Sequence, residues 1–307
     1  MTLLQIKHPE SELEFELRDR LLQQSLRQPL DAISIVAEYP LLLAPESATR
    51  SFVGLIGDQP VVHANLWPRT LMAPNGVDSL RIGLVANVAT HPDWRNRGFC
   101  AELLNALANS ARAAGMSALV LWSDLQQFYQ KLGFESCSRE VRVYVSAIGD
   151  GPELDLKLVA PEDYHRIDFG RLSSMRPKHF WTLARSQAEF RCFLEIPATR
   201  LYMGRVAGEE CYAVCGKGCD LRGVIHEWGA RAPRTLAEMA QGIARDLGVD
   251  QITVLTPTGM PDEWGAYWQS IHAKSEEFDM AMMKPLTSAI SLEMLRSGTF
   301  IWGLDSV

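Results

Sequence analysis

A strand that stops on a proline and hands over, through a short basic loop, to an amphipathic helix limits the possible folds of this chain more than any other feature. Leu84-Val85-Ala86-Asn87-Val88-Ala89 is an apolar run that reads as a buried strand. His91-Pro92-Asp93 ends it, because Pro92 has no N–H to give to a ladder. The loop Arg95-Asn96-Arg97-Gly98-Phe99-Cys100 follows, and then Ala101 to Ala108 with leucines at helical spacing. Gly115 stands where that helix would end. A second buried strand, Ala118 to Trp122, leads to Phe128-Tyr129-Gln130-Lys131-Leu132-Gly133-Phe134.

Strand, basic glycine loop and helix start together form an anion cradle. The N–H groups of a helix's first turn have no partner inside the helix and carry partial positive charge. A glycine lets backbone approach a phosphate closely, and arginine forks suit a pyrophosphate. The loop lacks the Gly-Lys-Ser/Thr of the nucleotide-triphosphate loop and the three spaced glycines of the dinucleotide fingerprint.

These residues resemble the GNAT superfamily of acyl-CoA-dependent N-acetyltransferases. The family signature, Gln/Arg-x-x-Gly-x-Gly/Ala after its fourth strand, is met by Arg95-x-x-Gly98-x-Cys100 except at the last position. Tyr129 precedes Gly133-Phe134 at the family's spacing, although the usual asparagine and longer helix before the tyrosine are missing. The resemblance covers about residues 1–147. It implies that Arg95, Asn96, Arg97, Gly98, Phe99, Cys100 and Ala101 hold the phosphates of acetyl-CoA. It further implies that the strand edge Val88, Ala89, Thr90 pairs with the pantetheine arm, and that Tyr129 protonates the departing thiolate.

The second half repeats the order of the first. Leu221 to Glu227 parallels Leu80 to Asn87, and each is followed by an alanine-rich helix, a glycine and a strand. The expected fold is therefore α/β (α+β), with two GNAT-like domains, each a mixed, largely antiparallel sheet flanked by helices. Residues 1–147 would be catalytic and 152–307 degenerate, joined by Gly149-Asp150-Gly151-Pro152. The second loop, Ala230-Arg231-Ala232-Pro233-Arg234, has lost its glycine, and Pro233 removes an N–H, so no CoA is expected there. Val141 to Val145 is expected to close the first domain as a strand.

No residue declares itself as the general base. His63, alternating with Val61 and Asn65 on a predicted hairpin, is either a cleft residue or a satisfied core histidine; Glu38, Glu46 and Asp124 are equal candidates. Cys211, Cys215 and Cys219 lie too far apart along a strand to grip one ion, so no metal is expected. His226-Glu227 reads as the relic of a substrate site or as packing. The tail Phe300-Ile301-Trp302 is apolar for a chain end and should dock.

A formal net charge of -7 argues against a nucleic-acid backbone as partner. No apolar run is long enough for a membrane span, and the N-terminus lacks a signal peptide's pattern. With six unevenly spaced cysteines read as thiols, the expected location is cytoplasmic. The expected activity is direct acetyl transfer to a primary amine of a small molecule or peptide. The alternative is a non-catalytic acyl-CoA sensor.

Overall fold

Strand pairing runs unbroken across the whole molecule. The computed structural model describes residues 3–27, 33–147, 154–206, 208–288 and 298–306, so the expected linker 149–152 lies outside the described residues. The strands of the first half are β1 (Gln5–Lys7), β2 (Ser51–Ile56), β3 (Gln59–Met72), β4 (Ser79–Thr90), β5 (Ala118–Leu121) and β6 (Glu135–Ser146). Those of the second are β7 (Asp155–Leu158), β8 (Thr182–Leu183), β9 (Arg200–Val206), β10 (Glu209–Cys215), β11 (Val224–Gly229), β12 (Gln251–Pro257) and β13 (Lys274–Pro285). They form one sheet in the order β1-β2-β3-β4-β5-β13-β6-β12-β11-β10-β9-β7, with the short β8 paired to β3. Two contacts are parallel, β4 with β5 and β11 with β12, and the rest are antiparallel. The mixed, largely antiparallel sheet expected from sequence is thus observed.

The halves exchange strands at its centre. β13, from the second half, lies between β5 and β6; β6, from the first half, lies between β13 and β12. The expectation that residues 141–145 close the first half on itself needs correcting, because β6 pairs with two strands of the second half and not with β5. From the β6–β13 pair outward, each direction meets a β5-type strand, a parallel step, and then antiparallel strands. The repeat seen in sequence is a pseudo-two-fold of the sheet.

Helices cover the sheet: α1 (Glu12–Leu26), α2 (Ile35–Glu38), α3 (Pro40–Leu43), α4 (Phe99–Ala113), α5 (Gln126–Gln130), α6 (Phe169–Ser174), α7 (Gln187–Leu194), α8 (Pro233–Leu247) and α9 (Asp262–Ser270). α1 opens with a capping box of Ser11 and Glu14, a Ser-x-x-Glu pattern readable in the sequence. α4 buries Leu103, Leu104, Leu107, Ala108 and Ala111 against Val61, Val62 and Val85 of the sheet. Each such leucine contributes about 1.5–3 kcal/mol of burial, enough to fix α4 and the loop before it. α8 does the same in the second half with Leu236, Met239, Ala240 and Ile243.

The tail docks inside the second half. Phe300, Trp302, Leu304 and Asp305 are buried. Gly303 N–H donates to the His226 carbonyl at 3.1 Å, and Phe300 N–H to that of Trp181 at 2.9 Å. The Lys217 ammonium donates to the carbonyls of Gly303 (3.0 Å), Leu304 (3.1 Å) and Ser306. Asp305 accepts from Arg185 and Arg69.

Candidate active site

The centre of the site is a gap between two parallel strands. β4 pairs with β5 only at Ile82↔Ala118, Gly83↔Leu119 and Leu84↔Val120. Beyond Leu84 the strands part, and the β4 edge loses its neighbour. A bulge helps to drive them apart: the β3–β4 register shifts between His63 and Asn65, and Asn87 takes a left-handed φ of 49°. Buried side chains hold that bulge. The Asn87 amide donates to Asn65 Oδ1 at 3.0 Å, and Asn65 donates to Ser51 Oγ at 3.0 Å. His63 Nδ1 donates to the Asn87 carbonyl at 2.8 Å. His63 is fully buried, and desolvation pushes its pKa down to about 3, so it stays neutral. It braces the bulge and does not line the cleft.

Where β4 ends, the loop turns on Asn96 and Gly98, with φ of 61° and 84°, and Gly98 is the N-cap of α4. Only a glycine takes Gly98's conformation without strain. α4 begins two residues earlier than the leucine pattern shows, which puts Phe99 and Cys100 in its first turn with their N–H groups facing out of the helix start. Arg95 Nε donates to the Thr90 carbonyl at 3.2 Å, and Arg97 donates to that of Asp93 at 3.1 Å. Arg97 also lies over the Trp94 ring at 4.6 Å. Both arginines are exposed and neither has a carboxylate partner among the described residues, so their charge faces solvent.

Tyr129 sits on α5, buried against Phe128 and Phe134 at ring distances of 5.0 and 5.7 Å. Burial raises its phenol pKa above the ordinary value, the nearby Cys100 thiol raises it further, and a hydrogen bond with Ser123 opposes them. The hydroxyl is therefore protonated throughout the neutral range. Cys100 itself is pushed up to about 11 by burial, against a smaller lowering by a hydrogen bond with Thr90; its thiol is no nucleophile near neutrality.

Tyr129 and the parted strands share a cavity of about 640 Å³. Its walls are β4 (Val85 to Val88), the turn after β5 (Leu121 to Gln126) and the end of α1 with Glu38 and Tyr39. The second half closes it with the β10–β11 connection (Lys217, Gly218, Asp220, Leu221), Asp279 and Met280 of β13, and Ser306 of the tail. Glu38 is buried, accepts from Arg27 Nε at 2.6 Å and also takes the Cys219 N–H. Asp124 is exposed on the rim.

Of the sequence-derived candidates, Val88, Tyr129, Glu38 and Asp124 come together at this cavity. Ala89 and Thr90 continue the same strand edge toward the loop, and residues 95–101 follow at its end. His63 is behind the sheet's bulge, and exposed Glu46 does not line the cavity. Sequence reasoning missed Lys217, Asp220 and Ser306, which arrive through long-range packing with no local signal. Asn87 was legible as a strand residue only, since polar residues interrupt many strands without bulging.

The second half has the same gap, filled by protein. β11 pairs with β12 only at Val224↔Thr253 and Ile225↔Val254, and β10–β11 carries a matching bulge beside His226. Here the Trp228 indole spans the gap to the Leu255 carbonyl at 2.9 Å, and Gly303 of the tail bonds to His226. α8 starts with Pro233 and no side-chain cap. Glu227 is buried; desolvation would raise its carboxyl, but Arg176 and Arg185 outweigh this and hold it at about 2. His226-Glu227 is accordingly packing. Cys211 and Cys215 are buried thiols on β10.

Residues 16–137 match the family model of the acetyltransferase (GNAT) domain. No curated protein matches the sequence. Solved structures share the fold along most of the chain. A GCN5-related N-acetyltransferase from Kribbella flavida is 16% identical with a TM-score of 0.64, covering 92% of this chain and 70% of that one. Another from Anabaena variabilis is 14% identical with a TM-score of 0.67, covering 92% and 73%. The Saccharomyces cerevisiae N-myristoyltransferase, solved with bound myristoyl-CoA, is 10% identical with a TM-score of 0.59, covering 100% and 85%. At such identities the likeness is one of fold.

Proposed function

We propose that this chain, whose residues 16–137 match the GNAT acetyltransferase model, transfers an acetyl group from acetyl-CoA directly to a primary amine of a small molecule or peptide. The observation that carries this reading is the open β4 edge beside a phenol kept protonated. The loop Arg95–Ala101 would hold the phosphates through helix-start N–H groups and the two exposed arginines. The edge Val88 to Thr90 would take the pantetheine arm and polarise the thioester carbonyl. A neutral amine then attacks that carbonyl: the C–N bond forms, the C–S bond breaks, and Tyr129 gives its proton to the leaving sulfur. The amine's own proton leaves to solvent water or to Asp124, because Glu38 is committed to Arg27 and the Cys219 N–H. No described helix is long and apolar enough to cross a membrane, and a cytoplasmic site of action belongs to the proposal.

The acyl-CoA sensor is the second reading, favoured by the lack, among the described residues, of an unengaged buried carboxylate in the cavity. One experiment separates them. Calorimetry should show acetyl-CoA binding at one site per chain, abolished by Arg97→Glu combined with Gly98→Pro, and mass spectrometry should show acetylated product with some members of an amine panel. Binding without product from any amine supports the sensor. Undiminished binding in the double variant removes both readings.

A further inference from the structure

The pseudo-two-fold gives the acceptor cavity a counterpart. The first cavity is walled by the end of α1 and by the β10–β11 connection of the other half. A second cavity of about 340 Å³ is walled by the segment after α6 and by the β3–β4 connection, Met72 to Gly76, of the first half. The same pieces of fold, with their halves exchanged, enclose both. In the second, the strand gap behind the cavity is stopped by the tail, and the cavity's inner wall is Trp302.

The chemistry of this second cavity differs from that of the first. Phe169, Phe180 and Trp302 supply aromatic walls, and Phe180 lies 5.9 Å from Trp302 between ring centroids. Arg176 lies over the Phe169 ring at 4.9 Å and the Trp302 ring at 5.4 Å. Its lining includes Arg176, Lys178 and Arg185 and, among the described residues, no carboxylate. Arg176 and Arg185 are paired with Glu227 behind the wall, whereas exposed Lys178 has no ion pair among the described residues. Two buried donors of the same wall, Trp302 Nε1 and Thr182 Oγ1, have no hydrogen-bond partner among the described residues. Trp302 is fully buried. An indole N–H cannot accept, so its unmet need is for an acceptor. Buried donors without partners are uncommon in folded proteins and mark places where a ligand's acceptor can be satisfied.

We propose that this cavity is a second, non-catalytic site for a small aromatic carboxylate. The ring packs among Phe169, Phe180 and Trp302. The carboxylate takes the orphan donors and faces Lys178. The volume falls within the range of small-molecule pockets. Nothing in this argument depends on acyl transfer in the first half.

The test uses the full chain with 4-phenylbutyrate and, as its cationic match, 4-phenylbutylamine, read by calorimetry and by saturation-transfer NMR. The carboxylate should bind at one site and the amine about ten-fold or more weakly. Lys178→Glu, at an exposed position that leaves the core untouched, should weaken the carboxylate by about ten-fold, and Thr182→Val by several-fold. Acetyl-CoA should not displace the probe, and the Arg97→Glu/Gly98→Pro variant should bind it unchanged. Equal affinity for both probes, indifference to Lys178→Glu, displacement by acetyl-CoA, or no binding at about 5 mM probe would each overturn the proposal.

Discussion

The Tyr129 hydroxyl and the two buried histidines show how one chain position can be read from sequence and another cannot. Tyr129's place at the cavity was legible because the resemblance rests on its spacing to Gly133-Phe134 along one short segment. Tyr129→Phe keeps the ring packing and removes the proton, so turnover should fall by about ten- to a thousand-fold. Under the proposed acetyl transfer the hydroxyl acts as sulfur leaves, so acetyl-CoA affinity should barely change; equal turnover at saturating substrate would make Tyr129 a packing residue. His63 was undecidable in the sequence, since the β4 bulge beside it breaks the alternation on which strand-face arguments depend. Its neutrality, and that of His226 at about 4, has a consequence for stability. Both folded pKa values lie below the ordinary 6.5, so the unfolded chain binds more protons as pH falls. Stability from this source is complete above about pH 6.5 and declines below it, by about 1.4 kcal/mol per pH unit for each histidine. His63→Asn, whose amide N stands where Nδ1 does and can still donate to the Asn87 carbonyl, should flatten the fall in unfolding free energy between pH 6.5 and 5 by about one proton. An unchanged slope in denaturant titrations would show that His63 is charged in the fold or does not count.

Among the elements, the ones set by neighbours in sequence were legible and the ones set by distant pairing were not. The capping box of α1, the β2–β3 hairpin and the helix after the glycine loop each carry their own signal. β13 carries none that says where it goes: Met282 pairs with Leu121 and Met283 with Glu135, across much of the chain's length. Its apolar stretch Met280 to Met283 is buried, which marks a central strand but names no partner. The exchange predicts how the protein can be divided. Residues 1–147 alone would leave β5 without its outer neighbour and β6 without either of its own, exposing Val143 and Val145 and three open strand edges. That fragment should aggregate when expressed alone and become soluble when co-expressed with residues 148–307. A soluble monomeric 1–147 fragment with a native-like, dispersed NMR spectrum would mean that β6 can close the first half on its own.

At the scale of the whole molecule the second half does two things: it plugs its own strand gap with the tail, and it supplies a wall of the first half's cavity. The sequence showed an apolar tail and a decayed loop; it could not show that the segment buried at Trp302 also reaches the first half's cavity at Ser306. Lys217 joins the two. It is buried, desolvation lowers its pKa to about 8, and its ammonium holds the carbonyls of Gly303, Leu304 and Ser306. Cutting away residues 299–307 would test this poorly, because Arg185 and Arg69 would lose Asp305, and a buried charge left without its partner costs about 3–5 kcal/mol. Lys217→Met is the better probe: it keeps an unbranched side chain one atom shorter, suits an apolar burial and frees the last turn of the tail. Under the proposed acetyl transfer, the acceptor KM should rise about ten-fold, because a displaced wall loses positioning contacts. Acetyl-CoA affinity should stay within about two-fold, since its loop lies on the other side of β4's end. Ser306→Trp, which narrows the same wall without touching the lysine, should shift acceptor KM and leave acetyl-CoA binding alone. Folded variants of both kinds with unaltered acceptor kinetics would show that the tail only seals the second half's core and that the acceptor binds elsewhere.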